Sequence, residues 1–167
     1  MIDRMAHEIA ERHKDLPDLA FIGIRTRGVP LATRLAQRLG ELVDRPFPVG
    51  TLDITLYRDD LSMVAPQPLL KKTEIDFDLN GRAVLICDDV LYTGRTIRAA
   101  LDGIIDLGRP RAMRLAVLID RGHRELPIQA DFVGKTVPTS QDEVIEVSFA
   151  ATDDTEQVRI LERKPAS

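Results

Sequence analysis

Asp88 and Asp89 stand side by side at the end of an unbroken apolar run, and Thr93-Gly94-Arg95-Thr96 follows closely. Such a turn, small and rich in hydroxyls, leaves backbone N–H groups unpaired at the start of a helix, where the positive end of the helix dipole favours a phosphate. Thr93 and Thr96 can add side-chain donors. Two carboxylates repel a phosphate, so Asp88 and Asp89 suit what lies beside it: ribose hydroxyls, or a magnesium ion carried on the ligand. A sugar phosphate satisfies both halves. Arg25-Thr26-Arg27-Gly28 spells a second anion site, where a glycine lets backbone donors and guanidinium groups converge.

The elements around these residues have to hold them. Ala83, Val84, Leu85, Ile86 and Cys87 form a run with no polar interruption, the pattern of a strand buried on both faces of a parallel sheet. Cys87, the one cysteine, reads as a small core residue and not a nucleophile. Behind the turn, Ile97, Leu101, Ile104 and Ile105 recur at helical spacing, with Gly108 as a stop and Pro110 beyond it. Residues 20–24 are a short strand, and a helix carrying Leu31, Leu35, Ala36 and Leu39 follows Pro30. Gly40, Pro46 and Pro48 mark the exit of that helix. Residues 114–119 are a second buried strand, ending in Asp120-Arg121-Gly122-His123-Arg124. Strand-terminal charges point to the carboxyl edge of an open sheet. Asp120 and Arg121 are expected to face the site, His123 and Arg124 to face outward.

The remaining segments are less tied to chemistry. Residues 1–14 make an amphipathic helix, with Ile2, Met5 and Ile9 on one face and Arg4, His7, Glu8 and Glu11 on the other. Residues 49–57 read as a strand. Residues 58–73 hold Arg58, Asp59, Asp60, Lys71 and Lys72 around Pro66 and Pro68, the composition of an exposed lid that would exclude water. Residues 144–147 and 158–161 are late strands, and 164–167 a frayed tail.

At 167 residues and 44% apolar content the chain is expected to be a single domain of α/β class, an open, mostly parallel twisted sheet flanked by helices. A net charge of −4 excludes a protein that coats nucleic acid indiscriminately, though not a local basic face. No signal peptide or membrane-length apolar run is legible, so a cytoplasmic protein is expected. Three scattered histidines give no metal or triad constellation.

Residues 84–96 resemble the phosphoribosyl-pyrophosphate signature of type I phosphoribosyltransferases. The wording Asp-Asp-Val-Leu-Tyr-Thr-Gly-Arg-Thr is similar to that of the PyrR family, pyrimidine operon attenuation regulators that also act as uracil phosphoribosyltransferases. Residues 24–28, 52–60, 117–128 and 130–135 match in the same order, so the resemblance covers residues 4–147. It implies the type I fold, with a flexible lid at 58–73 and a hood for base recognition at 121–140. It implies transfer of the phosphoribosyl group of PRPP to uracil, giving UMP and diphosphate, with Mg2+ carried on PRPP near Asp88 and Asp89 and no metal held by the protein alone. Asp88, Asp89, Arg27 and Arg58 are the implied catalytic residues. Thr26 and Arg27 would take the pyrophosphate, often through a strained peptide bond in that family. Val90, Leu91, Tyr92, Thr93, Gly94, Arg95 and Thr96 would hold the 5′-phosphate, with Arg121, Val133 and Lys135 in the substrate region. Gly134 would give the base close approach.

The same resemblance implies uridine-nucleotide-dependent binding (UMP or UTP) of a stem-loop in pyrimidine-operon leader mRNA. That binding would act on transcription termination or translation, with His7, His123, Arg124 and Lys135 as RNA contacts and a homodimer or higher oligomer as the working form. Within residues 109–135, Arg109, Arg111, Arg114, Arg121, Arg124, Lys135 and His123 outnumber nearby acids, in keeping with a basic face. Two departures from the family pattern stand out: a start one or two turns late, and Gln129 where many relatives have arginine. The competing reading is a base-salvage enzyme without RNA regulation.

Overall fold

The computed structural model describes residues 1–13, 16–59 and 73–164. Most of the expected lid, residues 60–72, and residues 165–167 of the expected tail lie outside the described residues. Among the described residues are β1 (Leu19–Ile24), β2 (Val49–Leu52), β3 (Ala83–Leu91), β4 (Ala112–Asp120) and β5 (Phe132–Thr136), which form one sheet in the order β2-β1-β3-β4-β5. Every pairing in it is parallel. The helices are α1 (Ile2–Arg12), α2 (Gly28–Val43), α3 (Arg95–Leu107) and the one-turn α4 (Ala150–Asp153). β6 (Glu143–Ser148) and β7 (Gln157–Glu162) pair antiparallel as a separate ribbon.

β3 is the spine, and its side chains alternate between two cores as strand geometry requires. Ala83, Leu85 and Cys87 join Leu19, Phe21, α1, α2 and the ribbon residues Ile145, Val147 and Phe149 on one face. Val84 and Ile86 join Ile22, Ile24, Leu115, Val117 and the α3 residues Ile97 and Ile104 on the other. Both faces are therefore apolar, and the run has no polar interruption.

Two local expectations are corrected. The strand expected over 49–57 stops at Leu52, because the Asp53 carboxylate accepts the Thr55 N–H at 2.9 Å and turns the backbone into a short 3-10 turn at Thr55–Tyr57. Ile105, expected on the apolar face of α3, is 60% exposed. Ala99, Ala100 and Gly103 take the buried positions instead, because Tyr57 packs so near Gly103 that a methyl group there would sit 3.3 Å from its ring.

The chain leaves β1 into α2 on one face and β3 into α3 on the other, which makes the gap between those strands the topological switch point, where open parallel sheets bind ligands. The ladder also runs out there. Gly23 pairs with Cys87, β1 ends at Ile24, and β3 continues to Leu91 alongside β4 alone. Asp88 and Asp89 thus emerge beyond the β1 ladder. Gly28 lets α2 start against them: a Cβ at Gly28 would stand 2.3 Å from the Cys87 carbonyl oxygen and 3.2 Å from Asp88 Cα, all main chain. Gly28→Ala is expected to destabilise the protein by about 2–3 kcal/mol, as overpacking against unyielding backbone does. Equilibrium urea unfolding measures it, and an unchanged midpoint would contradict this packing.

Candidate active site at the carboxyl edge of the sheet

A cavity of about 480 Å3 opens at the switch point. Its lining includes Arg25, Thr26 and Arg27 after β1, Asp53, Ile54, Thr55 and Arg58 after β2, Asp88, Asp89 and Val90 of β3, and Thr96 of α3. The Arg25–Thr26 peptide is cis. Arg27 is the N-cap of α2 and Gly94, at φ 95°, the N-cap of α3, and neither helix start carries a side-chain cap. Two helix amino ends thus meet one cavity, with guanidinium groups on one wall and two carboxylates on another.

The acidic pair is held by its own backbone. Asp88 Oδ1 accepts the Asp89 N–H at 2.9 Å, and Asp89 Oδ1 accepts the Val90 N–H at 2.8 Å. Asp88 is only 8% exposed; burial first, and the neighbouring Asp89 charge second, push its carboxyl well above the usual range. Burial likewise pushes the Cys87 thiol up, which leaves it an inert core group. Among the described residues no cluster of three or more His, Cys, Asp or Glu could hold a metal. Two hard carboxylate oxygens beside an anion cavity suit a magnesium ion that takes its other ligands from a substrate phosphate.

Thr26, Arg27, Arg58, Asp88, Asp89, Val90 and Thr96 were expected together and line one cavity. The rest of the expected phosphate turn does not line it. Leu91 is buried at 1% exposure, and Tyr92 to Arg95 form the outer wall of the turn. That wall is clamped from behind. The Thr93 carbonyl accepts from Glu125 N–H (2.9 Å) and Leu126 N–H (3.2 Å), and Arg95 pairs with Asp59 and Glu125.

Arg121 and Arg124, expected to face the site and outward respectively, both turn into the structure. Arg121 is 5% exposed, stacks 4.0 Å over the Tyr92 ring and donates to the carbonyls of Ser140 (2.9 Å) and Glu143 (2.7 Å). Arg124 donates to the carbonyls of Tyr92 and Ile128, each at 2.8 Å, and to Asp120 Oδ2 at 2.7 Å. Four of their acceptors, two for each arginine, are main-chain oxygens that a buried turn would otherwise leave unpaired, which is why cations sit inside. His123, at φ 65°, places Nε2 against the Thr139 carbonyl, so that nitrogen carries the proton.

The segment expected as a base-recognising hood is in part sheet: Val133 and Lys135 lie on β5. Gly134 serves packing, since a Cβ there would stand 2.5 Å from the Leu118 carbonyl oxygen. The Val133 and Gly134 carbonyls both accept from Arg4, which ties α1 to β5. His7 is half exposed one turn along α1, and Lys135 is exposed on β5.

Residues 1–153 match the family model described as phosphoribosyl transferase domain. Sequences named "Bifunctional protein PyrR" are 58% identical in Deinococcus radiodurans, over 96% of this chain and 88% of that one. The one from Thermus thermophilus is 57% identical over 98% of this chain and 90% of its own. This chain belongs to the PyrR family of phosphoribosyl transferase domain proteins. The hypoxanthine phosphoribosyltransferase of Trypanosoma cruzi shares its fold, with a TM-score of 0.72 at 18% identity, covering 98% of this chain and 90% of that one.

Arg25 lines the cavity as part of the expected Arg25–Gly28 anion loop, and Asp53 and Thr55, which sequence reasoning did not place there, join it. Asp53 and Thr55 read as strand residues by their β-branched surroundings, whereas the local turn from Thr55 N–H to the Asp53 carboxylate is the signal that ends the strand at Leu52. Arg25 donates from Nη2 to Thr51 Oγ1 at 3.1 Å, which braces the β1 loop against β2.

The raised Asp88 carboxyl has a consequence for stability. The native state holds this proton to higher pH than the unfolded chain, whose aspartates titrate near 3.9. Stability contributed here is full below that value and is lost as pH rises through the native value. Asp88→Asn removes the loss, so at pH 7 the ligand-free variant is expected to be about 1–3 kcal/mol more stable than the parent, with no gain near pH 3. Thermal unfolding across pH 3–8 checks this, and a variant less stable at pH 7 would contradict it.

Proposed function

We propose that this chain transfers the phosphoribosyl group of PRPP to uracil, yielding UMP and diphosphate, and that it regulates pyrimidine biosynthesis genes. In the second role it binds leader mRNA of those genes in a way that depends on uridine nucleotides. One observation carries the catalytic half: two helix amino ends, the loop bearing Thr26 and Arg27, and the pair Asp88–Asp89 converge on one cavity of about 480 Å3 at the sheet's switch point. A diphosphate and a 5′-phosphate on one ribose present two anionic ends joined by a hydroxylated ring, and the cavity has donors for both ends with acceptors between them.

The 5′-phosphate docks on the amino end of α3 beside Thr96. Asp88 and Asp89 accept from the ribose hydroxyls and fix the ring, while Thr26, Arg27 and Arg58 receive the diphosphate. Breaking of the bond between the anomeric carbon and diphosphate runs ahead of bond making to uracil nitrogen. Negative charge gathers on the departing group and positive charge on the ribose. The guanidinium groups offset the first and the carboxylates the second, and both are fixed before reaction. Magnesium bound with PRPP beside Asp88 and Asp89 would supply further neutralisation of the diphosphate. Uracil lies beyond the ribose, toward the carboxyl ends of β4 and β5. The N1 proton of uracil leaves as the new bond forms, and Asp89 is the candidate carboxylate to take it.

The regulatory half is supported by the relatives named "Bifunctional protein PyrR" and by the exposure of His7 and Lys135 outside the cavity lining. A few side chains suffice to read a folded RNA loop, and a homodimer would double those contacts. RNA binding places the protein in the cytoplasm with its transcript.

UMP formation from uracil and PRPP with magnesium, followed by leader-RNA binding with and without UMP, tests both halves. Arg27→Ala is expected to lower kcat/KM by about 100-fold or more while RNA affinity stays within about twofold, the scale for losing one preorganised donor to a developing charge. His7→Glu is expected to weaken RNA binding about tenfold and leave UMP formation unchanged. Equal damage to both activities by either variant, with folding intact, would refute a two-site protein.

A further inference from the structure

Arg27 is met by a residue that belongs to no part of the cavity lining. Its Nη2 donates to Asp153 Oδ1 at 2.9 Å, from α4 in the connection between β6 and β7. The carboxylate is the fixed partner. Asp153 Oδ2 accepts the Phe149 N–H at 3.1 Å, and the Asp153 N–H donates to the Phe149 carbonyl at 2.7 Å, closing one helical turn. The Phe149 N–H first, and Arg27 second, hold this carboxyl below its usual range, so it is charged when the pair forms. Phe149 is itself buried at 2% exposure, which anchors the turn to the core.

The guanidinium is the movable partner. The Arg27 side chain is 41% exposed against 19% for Asp153, and it stands on the loop that lines the cavity. Its Nε is buried with no acceptor. An arginine in this state is half satisfied, with one donor on a carboxylate and another on nothing. A diphosphate, with several charged oxygens, can accept from Nε and Nη2 together, which one carboxylate oxygen cannot do. The acidic side chain of α4 is committed to Arg27.

On the reading that Arg27 grips the diphosphate, we propose that Asp153 is a built-in counter-anion that occupies Arg27 in the empty enzyme and releases it to the diphosphate group of the incoming substrate. Asp153 acts through Arg27 and is a positioning residue. The pair holds the loop's cation at the cavity rim in the absence of substrate, and substrate affinity is reduced by the fraction of molecules in which the pair is closed. For an ion pair of this exposure that reduction is about three- to fivefold.

The test is Asp153→Asn, which keeps an acceptor for the Phe149 N–H and so leaves α4 able to form, with thermal unfolding to verify it. The KM for PRPP and the calorimetric Kd for magnesium diphosphate are expected to fall about three- to fivefold. The single-turnover rate at saturating substrate should stay unchanged, because the bound states no longer contain the pair. Asp153→Glu should restore the parental KM, and in an Arg27→Ala background Asp153→Asn should have no effect. An unchanged or raised Kd for diphosphate in a folded Asp153→Asn protein overturns the proposal and leaves the catalytic reading standing. A parent protein that binds no magnesium diphosphate overturns both.

Discussion

The level at which the β1–β3 ladder stops is the constraint on which the rest of the molecule depends. Parallel pairing holds β1 and β3 together through Gly23 and Cys87, and β3 then continues alongside β4 alone. Because α2 and α3 leave on opposite faces, no strand or helix among the described residues fills the gap above that point. The only groups of β3 that reach it are Asp88, Asp89 and Val90, and they do so with the main chain of Gly28 packed against them. A buried, apolar β3 is thus the mechanical reason why two carboxylates can be held together at all. Asp88 is destabilising where it stands in the empty protein, and the two cores on either side supply the burial that tolerates it.

Behind the cavity, residues 120–128 act as a clamp on the turn of α3. The clamp is built from arginines bonded to carbonyl oxygens, with Arg121 stacked on Tyr92 and Arg124 spanning Tyr92, Ile128 and Asp120. Guanidinium groups suit this work because each presents several donors in a fixed fork, enough to satisfy carbonyls that come from different segments. The turn is held from outside, and Thr93 Oγ1 accepts the Arg95 N–H within it at 3.3 Å. The same economy places Arg4 on the carbonyls of Val133 and Gly134, joining α1 to the edge strand β5.

The two proposed activities therefore have separate supports. The cavity rests on β1, β2, β3 and the amino ends of α2 and α3, whereas His7 stands on α1 and Lys135 on β5. The β6–β7 ribbon serves the first site from a distance. It covers the core on the α1 and α2 face through Ile145, Val147 and Phe149, and through α4 it delivers Asp153 to Arg27.

Much of this was legible before any coordinates. The apolar run ending in Asp88 and Asp89, the glycine-bearing turn and the Arg25–Gly28 loop specify a phosphate-binding open sheet because strand burial, helix dipoles and turn chemistry act between near neighbours, and near neighbours are what a sequence displays. Arg121 and Arg124 could not be placed that way: a cation at a strand end looks the same whether it faces solvent or a pair of main-chain oxygens, and the carbonyls that capture it lie up to 32 residues distant. Ile105 was misplaced for a similar reason, since Tyr57 decides which face of α3 is covered. Asp153 gave no signal at all, because its partner is 126 residues away and only the folding of the late ribbon onto α2 brings the two together. Local chemistry was set by the order of residues; which charges meet, and which of them remain available to a ligand, was decided by packing.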